Sequence, residues 1–130
     1  MTIEFFIPGG PSTKTHQQKK VSIKNGKPVF YEPQELKAVR AKLLASVCEY
    51  APSKKISGPV RLVTKWCYPK GNHVNGEWKT TKPDTDNMIK LLKDCMTTAR
   101  FWKDDAQVAS EITEKFWANV PGIYVKVVCL

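Results

Sequence analysis

All five aspartates of this 130-residue chain fall in one window, KPDTDNMIKLLKDCMTTARFWKDD, residues 82–105. Asp84 and Asp86 are spaced as D-x-D, Asp104 and Asp105 are adjacent, and Asp94 lies between the two pairs. Two carboxylates held about 4 Å apart repel by about 1–4 kcal/mol at dielectrics between those of water and a protein surface, so clustering several of them is costly unless a cation sits among them. A site of carboxylate oxygens and water, without His or Cys, suits a hard divalent ion, Mg²⁺ with Mn²⁺ as its substitute. Part of the pattern also has an ordinary structural explanation. Asp86 at a helix N-cap is worth about 0.5–2 kcal/mol, and Lys90 and Asp94, following at i+4 steps, form a ladder worth a few tenths of a kcal/mol per pair. Capping needs only one carboxylate, however, and in an extended approach to a helix Asp84 and Asp86 project to the same side.

Strand parity separates the second pair. Counting back from the last strands, Ala106, Val108, Ile112 and Phe116 share an apolar face, while Asp105 lies with Gln107, Glu111 and Lys115, so Asp105 is the expected third ligand and Asp104 the secondary one. Lys90 sits one turn after Asp86, and helical side chains lean toward the N-terminus, which brings its ammonium within reach of a phosphate or an attacking water. Asp94 either orients Lys90 or is simply solvated, and Asn87 is either a first-turn polar residue or a hydrogen-bond donor to phosphate. Free amides at the start of such a helix favour an anion there.

The elements that must hold these groups follow from periodicity. Thr2–Ile7 reads as a strand stopped by Pro8-Gly9-Gly10-Pro11, residues 12–20 as a basic loop, and Val21–Ile23 with Val29–Tyr31 as a hairpin around Asn25-Gly26. Residues 33–50 carry Leu36, Val39, Leu43, Leu44 and Val47 at helical spacing. Residues 59–68 read as a strand, and 69–82 as a mobile basic loop too polar to pack. A second helix is expected from about Asp86 to Ala99, with Met88, Leu92, Cys95, Met96 and Ala99 on one stripe. Gln107–Trp117 and Ile123–Cys129 read as a closing antiparallel pair. The expected fold is α+β, one domain spanning 1–130, with a small, largely antiparallel (mixed) sheet and two helices packed on it.

The net charge of +9 is unevenly distributed: residues 1–82 hold fifteen Lys and Arg against five acidic residues, and 83–130 hold six against seven. Such a surplus selects a polyanion, because each phosphate neutralised releases condensed counterions. Lys14, Lys19, Lys20, Lys70, Lys79 and Lys82, all in expected loops, are candidates for DNA-backbone contacts. Trp78 is placed to stack on an unpaired base, whereas Trp66, Trp102 and Trp117 read as core or interface. His16 and His73 stand alone in polar loops. The four cysteines are far apart, lack C-x-x-C spacing and read as small buried hydrophobes of a reducing compartment. The amino-terminal stretch reads as a strand and not as a signal peptide, and no apolar run is long enough to span a bilayer. These features point to the cytoplasm.

KPDTDNMIKLLKD followed by FWKDDAQV, spanning residues 82–108, resembles the signature of the RusA-like Holliday junction resolvases, small endonucleases common in phages and prophages. The resemblance implies that Asp84, Asp86 and Asp105 are the metal-binding carboxylates and that Lys90 takes the place of the family's essential helix lysine. It also implies a homodimer that nicks opposing strands of a four-way junction with Mg²⁺, in the cytoplasm of a bacterial host. Met88-Ile89 stands where a leucine is expected, a conservative departure. The competing expectations are a non-catalytic DNA-binding accessory protein, whose aspartates only cap and ladder the helix, and a nuclease preferring flaps or forks.

Overall fold

The computed structural model describes residues 1–13, 20–24, 26–31 and 33–130. Its strands are β1 (Thr2–Pro8), β2 (Lys20–Lys24), β3 (Lys27–Tyr31), β4 (Val60–Pro69), β5 (Val108–Ala118) and β6 (Gly122–Cys129), and its helices are α1 (Gln34–Cys48) and α2 (Thr85–Thr98). The architecture is α+β, as expected from the sequence. A four-stranded sheet has the order β1-β6-β4-β5, and β2 and β3 form a separate two-stranded hairpin.

One expectation about the sheet is overturned. β5 and β6 do not pair with each other: β4 lies between them, antiparallel to β6 and parallel to β5. Residues 119–121 resemble a hairpin turn in composition. The gap they cross is two strand spacings, about 10 Å, which three extended residues can span.

Alternation along β4 shows where the core lies. Val60, Leu62, Thr64, Trp66 and Tyr68 are buried, and the residues between them are exposed or half-buried. Leu36, Leu43 and Val47 of α1 and Met88, Ile89, Leu91, Leu92, Cys95 and Met96 of α2 bury their apolar faces in the same core, joined by Val125 and Val127 of β6 and Phe5 and Ile7 of β1. On β5, Glu111, Thr113, Lys115 and Trp117 pair with the helix-facing residues of β4, so Ile112 and Phe116 point to the opposite face of the sheet, where Ile112 is 44% exposed. The parity read from sequence holds from Ser110 onward, but a register shift after Val108 breaks it: Val108 pairs with the buried Val60 and packs against the core, whereas Ile112 and Phe116 lie on the other face. Of the cysteines only Cys95 is buried; Cys67 and Cys129 are intermediate and Cys48 is exposed.

Because β4 and β5 are parallel, α2 is the crossover between them and carries the chain back from the end of β4 to the start of β5. The hydroxyl of Tyr68, near the end of β4, donates to the sulfur of Met88 in the first turn of α2 at 3.2 Å. At the far end α2 closes in a Schellman arrangement: Arg100 N–H donates to Thr97 O at 3.0 Å and Phe101 N–H to Met96 O at 3.1 Å. Arg100 adopts φ 71° there, a conformation usually taken by glycine. Phe101 and Trp102 then enter the core with no exposed surface. Glycine is required at position 122, where an added Cβ would lie 2.6 Å from Ile7 O and would also run into the Phe6 ring, blocking the β1–β6 pairing. Among the described residues, no helix is long and apolar enough to cross a membrane.

Candidate active site

Asp84 and Asp86 stand at the start of α2, both exposed. The helix begins one residue earlier than its apolar stripe suggests, so Asp84 and not Asp86 is the N-cap residue; its backbone is extended (φ −71°, ψ 147°). Asp84 O accepts from Asn87 N and Met88 N, each at 3.2 Å. The Asp84 side chain makes no capping hydrogen bond, although an Asp at this position ordinarily does. Among the described residues neither Asp84 nor Asp86 has a side-chain hydrogen-bond or ion-pair partner. Both carboxylates are thus left open to solvent beside the free amides of a helix N-terminus.

Asp104 and Asp105 lie past the other end of α2, in a turn and not on a strand, so strand parity does not reach them. The turn itself separates them. Asp104 caps a 3-10 turn (Asp105–Gln107): its Oδ1 accepts from Ala106 N at 2.9 Å, and the Gln107 side chain accepts from Asp104 N at 3.3 Å, a reciprocal capping box. The Gln107 amide also donates to Ile56 O and Gly58 O, at 2.8 and 3.1 Å, anchoring the turn beneath the sheet. Asp104 is occupied by this structure, whereas the half-buried Asp105 carboxylate has no side-chain partner among the described residues.

Lys90 is exposed, with its ammonium 3.6 Å from Asp94 one turn further along the helix, not turned back toward Asp86. Asp94 also meets Arg40 of α1 at 3.8 Å. Arg40, Lys90, Asp94, Thr97, Thr98, Lys103, Asp104 and Asp105 line one open groove along α2. Asn87 is half-buried in the first turn. The structure thus brings Lys90, Asp94 and Asp105 to one groove and leaves Asp84 and Asp86 at the head of the helix. With 14 residues rising about 1.5 Å each, the two ends of α2 are about 20 Å apart. Among the described residues, no three His, Cys, Asp or Glu side chains converge on a possible metal position.

The loop leading to Asp84 differs from its sequence reading. Residues 76–79 lie along β5 as a strap: Gly76 N donates to Trp117 O and Trp117 N to Glu77 O, both at 2.8 Å, and Lys79 N donates to Lys115 O at 3.0 Å. Trp78, 59% exposed, stacks on Phe116 with ring centroids 4.6 Å apart. Lys79, expected in an exposed loop, is only 7% exposed. Its ammonium lies 4.2 Å from the Trp117 ring and 5.0 Å from the Tyr68 ring, and it donates to Thr81 Oγ1 at 2.6 Å. Burial, helped by the nearby Lys115 charge, lowers the Lys79 pKa below the ordinary lysine range. His73 has a partner after all, Glu77 at 2.5 Å, and stacks on Trp117. Lys82 is exposed and Lys70 half-buried; Lys14, His16 and Lys19 lie outside the described residues, as does the side chain of Lys20.

Sequence reasoning passed over Lys115. It reads as one more strand lysine, yet its ammonium donates to Thr81 O at 2.7 Å and to Pro83 O at 2.8 Å, directly ahead of Asp84. The available signal was its parity with Glu111 and Trp117, which places it on the helix side of the sheet.

A family model described as Endodeoxyribonuclease RusA matches residues 8–128. The crossover junction endodeoxyribonuclease rusA of Lactococcus phage r1t is 31% identical over 111 residues, covering 83% of each chain. An uncharacterized protein, YqaN, of Bacillus subtilis strain 168 is 28% identical over an aligned length of 137 residues, covering 96% of this chain and 94% of the relative.

Proposed function

This chain belongs to the RusA endodeoxyribonuclease family, and we propose that it resolves four-way DNA junctions by paired, Mg²⁺-dependent nicks, as a homodimer in the cytoplasm of a bacterial host during phage DNA processing or recombination. The observation that carries this reading is the unspent D-x-D pair: two exposed carboxylates at a helix start, one of them in the N-cap position without capping. Oxygen-only donors of this kind fit a hard divalent ion, with Mn²⁺ able to replace Mg²⁺. When bound, such an ion supplies Lewis acidity at the scissile phosphate and lowers the pKa of its water.

The chain's own residues divide the remaining work. Asp84, Asp86 and Asp105 hold the ion. The first-turn amides of α2 and Asn87 orient the phosphate, and Lys90, held by Asp94, supplies a positive charge where negative charge develops. Lys70 and Lys82, with Lys14, Lys19 and Lys20, contact the DNA backbone and position it without reading sequence. Lys79, buried under Trp117, is withdrawn from that set.

The separation of the carboxylates supports the dimer. A single chain places Asp84 and Asp86 at one end of α2 and Asp105 at the other, because the crossover between parallel strands must run the full height of the sheet. The strap of residues 76–79 covers the outer edge of β5 only from Lys115 onward, so the stretch before it has an open edge among the described residues. A second copy pairing its own β5 antiparallel along that edge inverts top and bottom, bringing its Asp105 toward the first copy's Asp84 and Asp86.

The test is cleavage of a synthetic four-way junction in Mg²⁺ beside the same reaction in EDTA, with flap, fork and linear duplex as competing substrates. Paired nicks in the junction alone, abolished by EDTA, support the reading. Binding without cleavage in Mg²⁺ and in Mn²⁺ sinks it.

A further inference from the structure

We propose that Lys115 is a positioning residue of the nuclease centre: its ammonium ties the loop before α2 to β5, so that Asp84 and Asp86 project together from the head of the helix. The proposal rests on the reading of those two aspartates as metal-binding groups. Lys115 makes no side-chain contact with Asp84 or Asp86; it acts on the backbone that carries them. Its two acceptors, Thr81 O and Pro83 O, bracket the last residues before Asp84, and a tetrahedral ammonium 2.7 and 2.8 Å from them fixes both peptide planes at once. Hydrogen bonds from a charged donor are the stronger kind, and the one to Pro83 O is partly shielded from water.

The surrounding contacts point the same way. Pro83 is buried, so the loop has a packed anchor immediately before the exposed Asp84. Lys79 holds the same loop from its other end through Thr81 Oγ1. The backbone of Lys115 is itself fixed, because its carbonyl accepts from Lys79 N at 3.0 Å and its strand is paired with β4. The two lysines thus clamp residues 79–83 to one rigid strand. What remains free to move at the site is the pair of carboxylates, not the chain that presents them.

Residues that orient metal ligands from behind change metal affinity by about 10–100-fold when lost. The test compares wild type, Lys115→Met, Lys115→Arg and Asp84→Asn in the full chain with four readouts. These are Mn²⁺ binding by calorimetry with junction DNA present, amide hydrogen exchange over residues 80–86, junction binding in EDTA, and thermal melting. Lys115→Met is expected to weaken Mn²⁺ binding about 10-fold or more and to speed exchange over 80–86, with junction binding in EDTA within about twofold of wild type. Lys115→Arg, which keeps the charge and can still donate to both carbonyls, is expected to recover most of both losses and guards against a folding defect in the Met variant. Unchanged Mn²⁺ affinity in Lys115→Met, while Asp84→Asn abolishes it, overturns the positioning role and leaves the metal reading standing. Mn²⁺ affinity unchanged by Asp84→Asn overturns the metal reading and the proposal together.

Discussion

Asp84 and Asp105 stand at opposite ends of α2, one as its N-cap and the other in the turn beyond its last residue, because the helix crosses the sheet between two parallel strands. If all three carboxylates serve one ion, a pair of chains has the complete set and a single chain does not. Chains carrying Asp84→Asn and chains carrying Asp105→Asn are each expected to be inactive alone and to leave junction binding intact or tighter, since a repulsive charge is removed. Mixed and allowed to exchange subunits, they are expected to regain single-strand nicking, as one competent centre forms in each mixed dimer. A nicking assay on the mixture, with no recovery at any ratio, rules out the shared centre.

Lys90 is held by Asp94 at 3.6 Å and is more than half exposed, so its loss costs little structure. Lys90→Ala is expected to lower the turnover rate by about 10²–10³-fold, the usual cost of removing one charge-stabilising donor, with a much smaller change in junction affinity. Single-turnover cleavage beside equilibrium binding separates these effects; a loss confined to affinity makes Lys90 a phosphate clamp.

Arg100 pays a steric penalty for its positive φ in the Schellman turn, about 1–2 kcal/mol for a residue with a Cβ. Arg100→Gly removes that penalty at the expense of a more flexible unfolded chain and is expected to stabilise the fold by about 0.5–1 kcal/mol. Denaturant unfolding at equilibrium measures it, and a loss of stability would show that the arginine side chain contributes more than its backbone costs.

Lys79 is expected to lose its proton at lower pH than the other lysines, since burial and the Lys115 charge both disfavour its charged form. A lysine whose pKa is lowered on folding adds stability above the unfolded value of 10.5 and loses it as pH falls through the folded value. Tyr68, pushed upward by its burial, acts oppositely: its contribution is present below 10.0 and is lost as pH rises beyond it. Carbon-detected NMR titration of the lysine side chains isolates Lys79, and Lys115→Met should move its midpoint upward. A midpoint among those of the exposed lysines contradicts the assignment.

Much of this arrangement was legible in the sequence because its signals are local. The 3.6-residue stripe of α2, the Asn-Gly hairpin, and the β-prone run that becomes β4 each follow from residues within about a dozen positions of one another. The placement of β4 between β5 and β6 was not legible, since the three residues 119–121 have the same composition whether they join neighbours or skip a strand. Burial of Lys79 escaped for a similar reason: its partners, Tyr68 and Trp117, come from strands eleven residues before it and thirty-eight after. The choice between Asp104 and Asp105 came from strand parity, although the D-x-x-Q spacing of Asp104 and Gln107 already carried the capping-box signal that the structure displays.

The crossover helix has a consequence for how the activity depends on abundance. If the ligand set is shared between two copies as proposed, a lone copy holds only part of it and is harmless to the DNA around it. On that reading, competence would rise with the square of subunit concentration at low expression, and dilution alone would silence the enzyme without any inhibitor.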